Sequence, residues 1–170
     1  ATKTGTLKER KRNEMETYFD KIAANSDSSI TDVDIVGNIK FLGLSPTERT
    51  KTATAFATNT TVKTLKMVKL KLDDDFAGAF GKSLAANKAL EKVCLDSNSF
   101  SGVGMKALFE GLGQNGTVVD FQARHQSKTM ASSDEQALPT LIGDNCTCLK
   151  IGVDARNQMV KTQIDKKTNE

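Results

Sequence analysis

Leu84-Ala85-Ala86-Asn87-Lys88-Ala89-Leu90-Glu91-Lys92-Val93-Cys94-Leu95-Asp96-Ser97-Asn98-Ser99-Phe100-Ser101-Gly102-Val103-Gly104 reads as one complete structural unit. It contains the end of a helix, a turn, a short strand and a loop into the next helix. With Asn87 as origin, apolar residues stand three before it (Leu84) and three, six and eight after it (Leu90, Val93, Leu95). The same template fits at Asn59 with Phe56, Val62, Leu65 and Met67, and at Asn115 with Leu112, Val118, Phe121 and Ala123. It fits at Asn145 with Ile142, Cys148, Ile151 and Val153. At Asn25 the set Ile30, Val33 and Ile35 follows two places late, as if Asp27-Ser28 were inserted. The five asparagines lie 34, 28, 28 and 30 residues apart, a spacing that marks a solenoid of stacked repeats.

Two periodicities explain why such units must stack. Val93 and Leu95 alternate with Lys92, Cys94 and Asp96, the period of a half-buried strand. Phe80 and Leu84 lie four apart, as do Leu108 and Leu112, so each pair shares a helix face. Burying a large apolar side chain contributes about 1.5–3 kcal/mol, against about 1–2 kcal/mol of backbone entropy per ordered residue. A single unit cannot close that gap, so neighbours supply the burial. The origin asparagines are expected to end helices in the left-handed conformation that Asn tolerates.

The run Leu90-x-x-Val93-x-Leu95-x-x-Asn98-x-Phe100 matches the leucine-rich-repeat pattern. Asn98 turns an amide inward at a strand end, where it must find partners and can bridge adjacent coils. Asn38 and Gln126 hold the equivalent place in two other units, and Leu70 replaces it in a third. The expected fold is a right-handed α/β solenoid of ribonuclease-inhibitor type: a short parallel sheet, helices on its outer side and a helical cap at each end.

The chain has 170 residues, 18.4 kDa, enough for one domain with a core. Residues 1–5 read as a flexible start and residues 6–160 as one repeat domain. Within it, a cap helix covers about 6–24 and the repeats about 25–155, and residues 161–170 read as a polar tail. Thr6-Leu7-Lys8-Glu9, Ser45-Pro46-Thr47-Glu48 and Ser132-Ser133-Asp134-Glu135 each have capping-box form. Gly37 to Leu44 is expected as a longer loop, and Pro139 is expected to kink or shorten its helix. Gly78, Gly81, Gly111 and Gly113 weaken their helices, which must then depend on stacking.

No run of about 18 apolar residues and no hydrophobic leader is present, so a soluble cytoplasmic protein with no membrane contact is expected. The odd cysteine count, Cys94, Cys146 and Cys148, favours reduced thiols. Cys146-Thr147-Cys148 lacks a second ligand pair for a metal, and His125 is the sole histidine. The formal charge of +3 is spread among mixed signs with few aromatics, which argues against nucleic acid. Asp73-Asp74-Asp75 reads as favourable charge at a helix start. No nucleophile, base and orienting group converge, so neither a cofactor nor an enzymatic reaction is expected.

Three segments resemble one family in order and spacing. Asp96-Ser97-Asn98-Ser99-Phe100-Ser101-Gly102-Val103-Gly104 is similar to the E-S-N-F-I-S-G-x-G segment of tropomodulins and leiomodins. Asn115 to Lys128 resembles their N-x-S-L-x-E-L-x-x-D-N-Q-S-Q run, and Asn145 to Gly152 their N-x-T-L-L-K-F-G run. The resemblance implies a non-enzymatic cytoskeletal module that binds actin at the filament pointed end. Tropomyosin would be met only through segments outside this chain. The alternative is a generic repeat scaffold for another protein. In either case the loops after the strands are the expected partner face, with Lys69, Lys71, Arg124, His125, Gln126 and Lys128 as candidate contacts.

Overall fold

The computed structural model of this chain describes residues 12–145 and 147–168. Five short strands form one parallel sheet in sequence order: β1 (Asp32–Asp34), β2 (Thr64–Lys66), β3 (Lys92–Cys94), β4 (Asp120–Ala123) and β5 (Lys150–Val153). Between and around them run α1 (Glu14–Ala23), α2 (Ile39–Leu42), α3 (Pro46–Thr54), α4 (Asp74–Ala86), α5 (Gly102–Gln114), α6 (Ser132–Ile142) and α7 (Gln158–Thr168).

The register follows the apolar template. Val33, Leu65, Val93, Phe121 and Ile151 pair strand to strand as one inward rung, the insertion after Asn25 included. Phe56, Phe80, Leu84, Leu108 and Leu112 are fully buried from the helix side. Phe19, Phe56 and Phe80 meet in series at ring-centre distances of 6.0 and 5.8 Å, joining the first cap helix to the repeats.

The origin asparagines form a ladder, by a route other than the expected one. Asn87 and Asn115 have extended backbones (φ −67° and −86°), and of the five only Asn25 is left-handed, at φ 50°. The extended backbone turns the amide into the stack. Asn87 Nδ2 donates to Asn59 O at 3.1 Å in the preceding coil, and its Oδ1 accepts from the Ala89 and Leu90 N–H groups at 2.8 and 2.7 Å. Asn115 repeats this towards Asn87 O at 3.0 Å, and Asn145 towards Asn115 O at 2.7 Å. Each rung satisfies turn groups that a half-buried chain would otherwise leave unpaired.

The ends and caps differ from the sequence expectation in several places. Thr6 to Glu9 lie outside the described residues; α1 is instead opened by Asn13, whose N–H donates to Glu16 at 2.7 Å in a capping box. Ser45 and Glu48 form their box as read. The Gly37 to Leu44 segment holds the short α2, capped by the Asn38 side chain. Ser132 to Glu135 form no box: the N-cap is Ala131 without a side-chain bond, and Glu135 is turned into the protein. α6 continues three residues past Pro139 to Ile142. At the far end α7 reaches Thr168 and buries Val160 and Ile164, so ordered structure extends past the boundary placed at residue 160. Among the described residues no helix is long and apolar enough to cross a membrane.

Glu135 holds this far cap. Its carboxylate accepts from the N–H groups of Arg156 and Asn157 at 3.0 and 3.1 Å and from Arg156 Nε at 3.1 Å. Burial alone would raise its pKa. The Asn157 N–H, the Arg156 guanidinium, the Arg156 N–H and the nearby positive charge outweigh that and hold it below the usual carboxylate value. A depressed folded pKa contributes stability that is complete above the unfolded value, about 4.5, and is lost as pH falls through the folded one. Glu135→Gln is therefore expected to cost about 1–3 kcal/mol at pH 7. The gap from wild type, read by urea denaturation, should narrow steadily below pH 4.5. A gap that stays constant down to pH 3 would show that the charge contributes nothing.

Candidate functional site

The first four strands end in the same tight turn. Gly37, Lys69, Ser97 and His125 all adopt left-handed backbones (φ 56–58°) at one equivalent coil position. Such a turn costs a side-chain-bearing residue strain that glycine avoids, and it swings the following residues to the sheet's loop edge. Lys71 is left-handed as well, at φ 54°. Asn98 braces this edge from within: Nδ2 donates to Met67 O and Leu95 O at 2.8 and 2.9 Å, and Oδ1 accepts from the Leu70 and Leu72 N–H groups at 3.0 and 3.2 Å. The inward rungs Leu90, Val93 and Leu95 are buried beneath it.

The structure places the six candidate contacts in two groups on this edge. Lys69 and Lys71 lie on the second coil, exposed and without an ion pair among the described residues. Arg124, His125, Gln126 and Lys128 lie on the fourth coil, two strand spacings away, or roughly 10 Å. Arg124 is exposed; its N–H donates to Asp96 at 2.7 Å and its side chain crosses Gly152 of the next strand. His125 is largely exposed, with its N–H donating to Asp154 at 2.5 Å. Lys128 sits 3.9 Å from Asp74 and is half exposed. Gln126 is half-buried: Nε2 donates to Leu95 O and Arg124 O at 3.1 Å, and Oε1 accepts from the Phe100 N–H at 3.3 Å. It bridges coils as Asn98 does, with one more methylene of reach.

Other residues at this edge escaped the sequence reading. Asp74 is a staple between coils, accepting from Ser101 N and Oγ at 2.8 and 2.6 Å. Val36 and Ile39 are exposed apolar side chains on the first coil's loop, Ile39 by 82%. The equivalence of residues 69, 97 and 125 is visible in the repeat spacing, but no glycine announces the turn there. Among the described residues no group of three or more His, Cys, Asp or Glu is placed to hold a metal ion. Burial pushes the Cys148 thiol up to about 11, leaving it protonated at neutral pH, and raises that of Cys94. Cys146 lies outside the described residues.

The family profile described as the TMOD/LMOD leucine-rich domain matches residues 12–169. The chain belongs to the tropomodulin/leiomodin family. This tropomodulin/leiomodin domain is 34% identical to rat leiomodin-1 over 94 residues, 55% of the chain and 16% of that relative. It is 30% identical to human leiomodin-2 over 138 residues, 81% of the chain and 24% of that relative. The match thus spans about a quarter or less of these relatives' length. The solved structure of actin-binding site 2 of leiomodin-1 superposes with a TM-score of 0.82 at 24% identity, covering 93% of this chain and 89% of the other. That likeness establishes the shared leucine-rich fold. In this tropomodulin/leiomodin domain the asparagine ladder is buried within the stack, and the loop edge after the strands carries the exposed candidate residues.

Proposed function

We propose that this chain is a non-enzymatic actin-binding module of the cytoskeleton, acting at filament pointed ends through its loop edge. The observation that carries the proposal is the family match over residues 12–169, joined to an edge on which Lys69, Lys71 and Arg124 carry no ion pair among the described residues. Leiomodin-1's structure of similar fold is named for an actin-binding site. Lys69, Lys71, Arg124, His125 and Lys128 face outward on a rigid stack, which favours an acidic protein surface as partner. Braced loops limit the ordering cost on binding.

A pyrene-actin assay with only pointed ends free tests the function: the domain should slow elongation there. If elongation and co-sedimentation are both unchanged, the chain is a repeat scaffold for another protein. The edge is tested separately. Lys71→Glu with Lys128→Glu is expected to weaken actin binding on the order of tenfold, chiefly through slower association, with an unchanged thermal unfolding midpoint. Equal affinity in the folded double variant would move the contact to another face.

A further inference from the structure

The second and third coils of this stack close their loop ends with apolar bulk, and the fourth does not. At the template's last strand position stand Met67 and Leu95, and five residues on stand Leu72 and Phe100, all buried. The fourth coil has Ala123 and Lys128 at these two places. The Lys128 ammonium turns out towards Asp74 at 3.9 Å, so its position supplies no apolar filling. What the two substitutions leave behind is a cavity of about 150 Å³, opening on the loop edge and floored by Phe100, Met105, Ala123, Met130 and Val153. The fifth coil does not cover it, because after Val153 the chain leaves the template and is clasped by Glu135 through the Arg156 and Asn157 N–H groups.

The mouth of the cavity is charged. Lys128 and Arg156 stand at it, and of the carboxylates there Glu135 is engaged by Arg156 and Asp154 by the His125 N–H. Along the same edge Lys69, Lys71 and Arg124 carry no ion pair among the described residues. Its apolar floor has room for one small apolar group. An anchor side chain seated in a pocket, with its neighbours excluding water, is the usual form of an interface hot spot.

We propose that this cavity is an anchor pocket, receiving one protruding aliphatic or aromatic side chain of actin that is flanked by carboxylates. The proposal rests on the actin reading above and names the contact that supplies most of its affinity. The carboxylates meet Lys128 at the mouth, while Arg156 stays on Glu135. Leucine at position 123 would refill the space from inside, as Leu95 does one coil earlier.

The test uses the whole chain with monomeric actin as ligand, comparing wild type, Ala123→Leu and Ala123→Val. Both variants are expected to stay folded by circular dichroism and to bind actin about tenfold or more weakly, leucine more than valine. In a second measurement toluene, as an apolar probe, should shift the Met105 and Met130 methyl resonances of wild type and not those of Ala123→Leu. If leucine disrupts folding, the valine variant decides. Folded variants that bind actin as wild type does, or Met130 methyls indifferent to toluene, overturn the pocket alone. A wild type that binds no actin overturns the actin reading and, with it, the occupant named here.

Discussion

Asn98→Leu is expected to destabilise the domain by about 3–5 kcal/mol, a large share of the 5–15 kcal/mol typical of a folded domain. The residue is 2% exposed and its amide meets five backbone groups on two coils. Leucine matches its size and removes all of these bonds at once. Each buried group left without a partner costs about 1–3 kcal/mol, and relaxation towards water at the loop edge trims the sum. Asn38→Ala is the control. That residue holds the corresponding sequence position but caps only α2, through the Phe41 N–H at 3.0 Å, so a loss of about 1 kcal/mol is expected. Urea denaturation with equal slopes measures both. Equal losses would mean that bridging between coils adds nothing to capping.

The contrast between Asn98 and Asn38 also marks the limit of what the sequence discloses. Strand register was legible residue by residue, because a period of two within a strand and near-constant coil lengths leave one alignment of Val33, Leu65, Val93, Phe121 and Ile151. Backbone conformation was not. Asn is at home in the left-handed region, yet at Asn87 and Asn115 the amide is more useful in an extended turn, where it reaches the previous coil. The left-handed residues instead come ten positions later, at Lys69, Ser97 and His125, where strand ends must turn whatever residue is present. The Glu135 and Arg156 clasp was hidden for another reason. Its partners lie 21 residues apart, and the local pattern Ser132 to Glu135 has a familiar and wrong explanation. At the edge, the sequence put six residues on outward loops, while the bulk missing at Ala123 and Lys128 has meaning only beside Met67, Leu95, Leu72 and Phe100.

The glycines were legible as a cost and not as a contact, and there the second large effect is expected. A Cβ on Gly111 would lie 2.2 Å from Gly81 O, and one on Gly81 would lie 2.3 Å from Ala107 O, both rigid helix backbone. Gly111→Ala is therefore expected to destabilise by about 3 kcal/mol, the upper part of the range for overpacking. Gly78, three residues before Gly81 on α4, has nothing within 4 Å of its added Cβ. Gly78→Ala should stabilise by about 0.5–1 kcal/mol, since alanine is the better helix former and the unfolded chain loses freedom. Opposite signs on one helix separate contact from propensity. The same contact bears on function. Strands sit about 4.8 Å apart and ordinary packed helices 8–10 Å, so a strand–helix stack fans open unless its helices approach closely. Gly81 and Gly111 permit that approach between α4 and α5, holding the third and fourth coils near one another. Forcing them apart should strain the Asn115 to Asn87 rung between those coils and widen the distance from Lys71 to Arg124. Gly111→Ala should then weaken actin binding even where the protein remains folded. The Gly81→Ala, Gly111→Ala double variant should lose less than the sum of the two, because the first substitution already opens the gap that the second requires. Strictly additive losses would mean that each glycine answers to a separate clash and that no shared helix spacing exists.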